Sequence, residues 1–238
     1  MKFWMFAALP LAALVACTPK AEAPPEGPPT AEEMAAAPAA LPSCAEAETA
    51  SGIQMPELTP CRLELGEGRS VLVSSTGMTD GEGTLRAEIT GADGAPVQVV
   101  EETATGFYSY PYLEDLTGDG ALDLMVPQFS GMVNTSYAFW VQGPDGKFSR
   151  AGELSGFEIT LGNDGLIAAS GRSSAAEWET GYYSVDNGTL TEVAAVLTRP
   201  GLEEVDPASD LPACEVIRAA EGVDTAPFCE PEASAPAE

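Results

Sequence analysis

Short segments of alternating apolar and polar residues recur through the middle of the chain, and turn sequences separate them. The turns are Gly-Ala-Asp-Gly at 91–94, Gly-Pro-Asp-Gly at 143–146, Gly-Asn-Asp-Gly at 162–165 and Asp-Asn-Gly at 186–188. Asn-Gly and Asp-Gly turns need positive φ angles, which Gly and Asn adopt at low cost, so they connect antiparallel strands. The predicted strands include 70–75, 84–90, 96–102, 136–142, 157–161, 166–170, 181–185 and 189–196. The pattern predicts an all-β fold, an antiparallel hairpin meander in a small propeller-like or barrel-like domain.

Helical periodicity is weak and occurs in only two places. Residues 209–223 predict a short helix that ends at Gly222, and residues 31–40 could form another within a Pro-rich segment. Neither changes the prediction of a β domain.

The first 17 residues have the features of a bacterial lipoprotein signal peptide. Lys2 precedes an apolar run over 3–15 that is too short to span a bilayer, and Leu14-Val15-Ala16-Cys17 resembles the lipobox of bacterial lipoproteins. The resemblance implies cleavage before Cys17, lipidation of that cysteine and, with Thr18 next to it, anchoring in the outer membrane. The protein would then lie in the cell envelope, on the periplasmic side or at the cell surface. The alternative is an ordinary secretory peptide in which Cys17 is incidental.

Composition divides the remaining chain into a tether, a domain and a tail. Residues 18–43 are rich in Pro and Ala and have too few apolar side chains to form a core, so we expect a disordered tether. The tail, residues 230–238, has a similar composition. Residues 44–229 are long enough for one domain with a substantial core.

Strong acidity limits the classes of partner. The chain has 37 acidic and 10 basic residues, with a formal net charge of −27, and signal-peptide cleavage would remove one further basic residue, Lys2. This charge disfavours nucleic acid and anionic lipid surfaces, whereas it favours cationic proteins and divalent ions. The alternative is that the acidity serves only solubility.

Four cysteines follow the lipobox: Cys44, Cys61, Cys214 and Cys229. An even number in an exported chain predicts disulfides, with three possible connectivities. The spacing favours Cys44–Cys61 and Cys214–Cys229, and each bond would stabilise the domain by ~3 kcal/mol. A zinc site is the weaker alternative because the chain has no histidine and no C-x-x-C pair.

The same composition argues against an enzyme. Without histidine, Ser-His and Cys-His triads are impossible, and the glycines form no phosphate-binding motif. Paired carboxylates could hydrolyse a glycoside, but carboxylates are so abundant here that no pair stands out.

An acidic loop before a strand is the clearest candidate site. Oxygen-bearing groups recur at alternate positions around Gly120, which allows a sharp turn, and they could form the cage of hard ligands that calcium needs. The candidate ligands in the loop 115–123 are the side chains of Asp115, Thr117, Asp119 and Asp123 and the carbonyl of Ala121. The alternative is an acidic turn without an ion.

The loop departs from the EF-hand because Val126 stands where a bidentate Glu is required, and because a strand follows it. It resembles the calcium loops of the FG-GAP and VCBS type, in which the ninth position ligates directly. That resemblance implies a structural calcium ion with Asp123 as a direct ligand.

The order of strands and turns over 108–193 resembles a group of bacterial periplasmic β-proteins that includes an inhibitor of c-type lysozyme. The resemblance implies that a loop enters the cleft of a cationic protein such as lysozyme. The loop 129–137 is the first candidate because Gly131 and Asn134 suit an exposed loop. The candidate contact residues are Phe129, Gly131, Asn134 and Tyr137, and the aromatic run 107–112 is a second candidate. The alternative function is a structural or assembly lipoprotein of the envelope without inhibitory activity.

Overall fold

The computed structural model of the chain describes residues 41–51, 58–79, 82–105, 109–162, 164–200 and 212–229. The predicted signal peptide with Cys17, nearly all of the tether with its short helix, and the tail lie outside these residues. The fold is mostly β. The elements in chain order are helix α1 (Cys44–Ser51), strands β1 (Cys61–Gly66), β2 (Arg69–Thr79), β3 (Glu82–Thr90), β4 (Pro96–Thr105), β5 (Tyr112–Glu114), β6 (Asp123–Ser130), β7 (Thr135–Gln142), β8 (Phe148–Gly156), β9 (Glu158–Leu161), β10 (Ile167–Arg172), β11 (Trp178–Asp186), β12 (Thr189–Thr198) and β13 (Cys214–Ala219), and a 3-10 helix (Ala226–Cys229).

Most strands pair with their neighbours in sequence, as expected for hairpins. The first sheet has the order β1-β2-β3-β4-β6-β7-β8, with β5 beside β6, and the second has the order β13-β12-β11-β10-β9. The pairs are antiparallel except β4–β6, where Thr105 lies opposite Phe129 in a parallel pair. The predicted all-β meander is confirmed, and within the described residues both sheets are open and neither closes into a barrel.

Successive side chains on β6 and β7 point into two different cores, so the two sheets form three layers. Leu124 and Val126 of β6 face a core shared with β1–β4, whereas Met125 faces a second core shared with β9 and β10. On β7, Ala138 and Phe139 face the first and second cores in the same way. Strands β6–β8 therefore form a middle layer that is covered on both faces, which explains the nearly continuous apolar run at 124–127.

Glycines on β8 allow the third layer, which is the sheet of β9–β13, to approach closely. A Cβ at Gly152 would lie 2.9 Å from the Cβ of Leu190, and one at Gly156 would lie 2.7 Å from the carbonyl oxygen of Ser170. Both distances are shorter than any normal carbon contact. The close packing of β8 against β10 and β12 therefore depends on the absence of a side chain at these positions.

The predicted helix at 209–223 is wrong for its described part. Residues Cys214–Ala219 form strand β13, which pairs with β12, and Gly222 lies in the turn that follows, with a φ angle of +82°. Helical propensity is a weak guide at this position because pairing with the exposed edge of β12 outweighs it.

Helix α1 was not predicted from the sequence, and it begins with a capping box. The Ser43 amide and hydroxyl donate hydrogen bonds to the Glu46 carboxylate, and the Glu46 amide donates to the Ser43 hydroxyl. Cys44 at the start of the helix is joined to Cys61, and Cys214 is joined to Cys229. Both disulfides therefore close the short local loops that the cysteine spacing favours.

Candidate functional site

The loop 115–123 is tightly wound around its own carboxylates. Asp115 Oδ1 accepts a hydrogen bond from the Gly118 amide at 2.7 Å, and its Oδ2 accepts one from the Gly120 amide at 3.0 Å. Asp119 Oδ1 accepts one from the Ala121 amide at 2.8 Å. Gly118 and Gly120 adopt positive φ angles of 71° and 87°, which a residue without a Cβ adopts cheaply.

Asp123 is the buried centre of this loop. Its Oδ2 accepts hydrogen bonds from the amides of Leu116 and Thr117 at 3.2 and 3.1 Å, and its Oδ1 accepts one from the Gln142 amide on β7 at 3.2 Å. The residue is completely buried, and this burial raises the pKa of the carboxyl group, although the three amides oppose the rise. One carboxylate thus joins the loop to the end of β7.

The oxygen atoms of the loop retain capacity for a cation. An ionised carboxylate has about four lone-pair sites, so both oxygens of Asp115 and the Oδ1 of Asp123 can each accept one more partner. The Thr117 hydroxyl is buried close to Asp123 and makes no hydrogen bond of normal geometry to any described residue. Nevertheless, no three Asp, Glu or Cys side chains in the described ranges form a ready-made metal cluster. The residue types therefore fit calcium, but the carboxylate oxygens mainly accept hydrogen bonds from backbone amides.

The second candidate site is at the opposite end of β6, roughly 23 Å away for an eight-residue strand. Three exposed apolar side chains lie here: Phe129 near the end of β6 is 54% exposed, and Met132 and Val133 in the loop between β6 and β7 are 104% and 37% exposed. Phe157, which follows β8, is 67% exposed near the same end. We call these four residues the apolar patch.

Asn134 fixes this loop to the third layer. Its Nδ2 donates a hydrogen bond to the Arg172 carbonyl oxygen at 3.0 Å, and its Oδ1 accepts one from the Arg172 amide at 2.8 Å. The Asn134 carbonyl oxygen also accepts a hydrogen bond from the Gly131 amide at 2.8 Å, which closes the loop. An added Cβ at Gly171 would lie 3.0 Å from the Asn134 amide group, so the glycine makes room for this contact.

A groove of about 600 Å³ runs beside the loop. It is lined by Phe129, Met132 and Val133 on one side and by Ser173, Ser174 and Ala175 of the β10–β11 loop on the other. A smaller polar cleft of about 280 Å³ adjoins it and includes Ser155, Glu179 and Tyr183. The apolar patch therefore borders a concave surface large enough to receive part of a partner.

Aromatic packing extends the patch towards β11. The rings of Phe157 and Trp178 meet edge to face with centroids 6.0 Å apart, and the Arg172 guanidinium lies 5.8 Å from the centre of the Trp178 ring. Arg172 also donates hydrogen bonds to the carbonyl oxygens of Ser174 and Ala175. These contacts turn its positive charge towards the β10–β11 loop and hold that loop in place.

The structure brings together some of the residues that the sequence suggested and separates others. Phe129, Gly131 and Asn134 belong to the groove, whereas the Tyr137 ring packs against Tyr112, with centroids 5.5 Å apart, at the edge of the second core. Burial raises the pKa of the Tyr137 phenol, and Tyr110 of the predicted aromatic run is buried. Residues 107 and 108 of that run lie outside the described residues.

Phe157 was not predicted from the sequence as part of this surface, and Met132 was not singled out within the loop. A signal was present, because Ser-Gly precedes an apolar residue at both 130–132 and 155–157. The structure places these two segments side by side, with Thr135 opposite Gly156 in the β7–β8 pair.

Comparisons with known proteins give no family. No family model matches the chain, and no curated protein matches it. One similar solved structure is PliI-Ah, a periplasmic lysozyme inhibitor of I-type lysozyme from Aeromonas hydrophyla, with 20% identity, 41% of this chain and 88% of that chain covered, and a TM-score of 0.35. Another is a Xanthomonas type IV secretion system related protein, with 15% identity, 71% and 97% covered, and a TM-score of 0.44. At these identities and TM-scores neither likeness carries an inference about function.

None of the helices in the described ranges has the length and apolar character needed to cross a bilayer.

Proposed function

We propose that this protein is a binding protein of the cell envelope, anchored in the outer membrane and stabilised by calcium, which captures a cationic protein such as a lysozyme. The observation that carries the proposal is the fully exposed Met132 at the tip of a loop that is fixed at its base by Asn134. Large apolar side chains grouped on a soluble surface are characteristic of sites that bind other proteins.

The arrangement of the loop favours affinity in two ways. Full burial of an apolar side chain such as that of Met132 or Phe129 contributes ~1.5–3 kcal/mol, and every ~1.4 kcal/mol changes the dissociation constant tenfold. The two hydrogen bonds between Asn134 and Arg172 hold the loop before the partner arrives. Less conformational entropy is therefore lost on binding than a free loop would lose.

Charge points to a cationic partner. With a net charge of −27, the protein attracts basic proteins over long distances and repels acidic ones. The apolar patch would then supply the short-range contacts that charge alone does not give. A lysozyme is the specific candidate because the strand-and-turn order over 108–193 resembles the periplasmic inhibitor group, and because c-type lysozymes are basic.

Calcium would act at the loop 115–123 as a structural ion. The ligands would be the side chains of Asp115, Thr117, Asp119 and Asp123 with the carbonyl of Ala121, and the ion would remove the repulsion among the three carboxylates. The buried Thr117 hydroxyl, which lies close to the Asp123 carboxyl group, supports this assignment. Because β6 begins at Asp123 and ends beside the apolar patch, the ion would stabilise the strand that carries the binding loop rather than contact the partner.

The envelope location rests on the sequence and on the disulfides. Two disulfides in one small domain are typical of an oxidising compartment such as the periplasm. The lipobox ending at Cys17 supports anchoring by a lipid.

An inhibition assay tests this function. The purified full chain is mixed with c-type or with i-type lysozyme at physiological salt, and the rate of cell-wall lysis is measured. We expect lysis to slow at a several-fold molar excess, and we expect the inhibition to persist when the salt concentration is doubled. Unchanged lysis with both enzymes would reject lysozyme as the partner and favour a structural or assembly role in the envelope.

A further inference from the structure

The two methionines whose side chains the structure describes lie in opposite environments. Met125 on β6 is completely buried in the second core, whereas Met132 at the loop tip is 104% exposed. Both belong to the same short stretch of chain, so they form a natural pair for comparison. Reactivity of a thioether follows its exposure, and the two side chains should therefore react with oxidants at very different rates.

The loop structure keeps the Met132 sulfur in solvent. The Gly131–Asn134 hydrogen bond and the two bonds between Asn134 and Arg172 fix both ends of the loop tip. The Met132 side chain therefore stays exposed at the border of the groove. The four cysteines of the described domain are joined in disulfides. Among the described residues, no free thiol therefore competes with this thioether for an oxidant.

We propose that Met132 is an oxidation site through which a peroxide switches the apolar patch to a polar surface. One oxygen atom of hydrogen peroxide is transferred to the Met132 sulfur: the S–O bond forms, the O–O bond breaks and water leaves. The sulfur loses two electrons and the peroxide gains them, without a further reactant. The product, methionine sulfoxide, is polar, so it opposes burial against an apolar partner surface.

The consequence for binding rests on the proposed function. Met132 lines the groove together with Phe129 and Val133, and it is the most exposed member of the apolar patch. Oxidation should therefore raise the dissociation constant for a partner held by this loop about tenfold or more, which corresponds to ~1.4 kcal/mol or more. The fold should remain intact because the Met132 side chain belongs to neither of the two cores that the described residues form.

The first test measures oxidation itself and needs no partner. The full chain is treated with hydrogen peroxide, folded or unfolded in urea, and peptides are followed by mass spectrometry for the gain of about 16 Da. Met132 should oxidise at nearly the same rate in both states, whereas Met125 should be protected at least a hundredfold in the folded state. Equal protection of the two methionines would overturn the assignment.

The second test separates the switch from the identity of the partner. Retention on a hydrophobic-interaction column is measured before and after peroxide for the wild-type chain and for Met132→Leu, which keeps volume and apolar character. Peroxide should reduce retention of the wild type more than that of the variant. Equal reductions would overturn the switch, even if Met132 is oxidised.

The same oxidised samples are then tested for binding to lysozyme. An unoxidised chain that does not bind lysozyme would reject lysozyme as the partner, while the two earlier measurements would still decide the oxidation site. If the unoxidised chain binds, an unchanged dissociation constant after oxidation of Met132 would overturn the switch alone.

Discussion

Replacing Asp123 with alanine removes the acceptor for three backbone amides at once. The amides belong to Leu116, Thr117 and Gln142, and only the first of these hydrogen bonds is fully buried. The carboxylate holds the start of the acidic loop against the end of β7. We therefore expect the variant to be less stable than the wild type even when no calcium is present.

The size of the effect follows from two opposing contributions. A buried amide left without an acceptor costs ~1–3 kcal/mol, and the two partly buried amides cost less because water reaches them. Against this, burial of the charged Asp123 carboxylate is itself unfavourable, as its raised pKa shows, and alanine removes that cost. The net loss should be ~2–4 kcal/mol, a large part of the ~5–15 kcal/mol that stabilises a typical domain.

Urea unfolding at pH 7 with a chelator measures this loss. With a slope of ~2 kcal/mol per molar urea, the midpoint of Asp123→Ala should fall by ~1–2 M. The matched control is Asp119→Ala in the same loop, which removes one exposed hydrogen bond and should shift the midpoint by less than ~0.5 M.

Adding calcium then separates the hydrogen bonding of the loop from its proposed binding of an ion. Added calcium should raise the midpoint of the wild type, whereas it should have little effect on either variant because each lacks a proposed ligand. A midpoint of Asp123→Ala within ~0.3 M of the wild type in chelator would refute the reasoning about the buried amides. A wild-type midpoint that does not respond to calcium would refute the ion site.

Two further predictions concern packing and pH. Gly156→Ala should destabilise the domain by ~1–3 kcal/mol, because its Cβ would lie 2.7 Å from the Ser170 carbonyl oxygen, and an unchanged urea midpoint would contradict the close packing of β8 on β10. Burial raises the pKa of the phenols of Tyr112, Tyr137 and Tyr183 above the usual value of ~10. At a pH above ~10 the unfolded state therefore loses these protons while the folded state keeps them. The stability that these groups contribute is complete below pH ~10 and should fall as the pH rises above it. Urea midpoints between pH 8.5 and 11 should show this fall, and tyrosinate absorbance provides a second readout for the same three tyrosines. A constant midpoint would contradict the prediction.

The hairpins could be predicted from the sequence because their determinants are local. The Gly-Ala-Asp-Gly turn at 91–94 joins β3 to β4 as expected, and Asn187 and Gly188 adopt the positive φ angles that their turn requires. Strand β13 could not be predicted in the same way. It lies across a long connection from its partner β12, so only tertiary pairing determines its structure.

The candidate sites show the same division between local and tertiary information. The spacing of Asp115, Asp119 and Asp123 is visible in the sequence. The hydrogen bond that the buried Asp123 carboxylate accepts from the Gln142 amide is not, because Gln142 lies on another strand. The loop at 129–137 was expected to be exposed, but its fixation depends on Arg172, which is 38 residues from Asn134 in the chain. The start of helix α1 could have been predicted from the sequence, because Ser43 and Glu46 form a recognisable capping-box sequence.

The most direct test of the central claim compares binding by two variants of the full chain. Met132→Asp changes the tip of the proposed binding loop, and Val97→Asp makes the same kind of change at an exposed apolar residue of β4, 45% exposed, outside the groove. Binding to immobilised lysozyme is measured for both at physiological salt, after circular dichroism has shown equal folding.

Binding through the apolar patch predicts that Met132→Asp weakens affinity at least tenfold, by ~1.4 kcal/mol or more, while Val97→Asp changes it less than twofold. The added negative charge is the same in both variants, so long-range attraction to a cationic partner cannot explain a difference between them. Equal affinities for the two variants would show that acidity alone holds the partner and would contradict the claim.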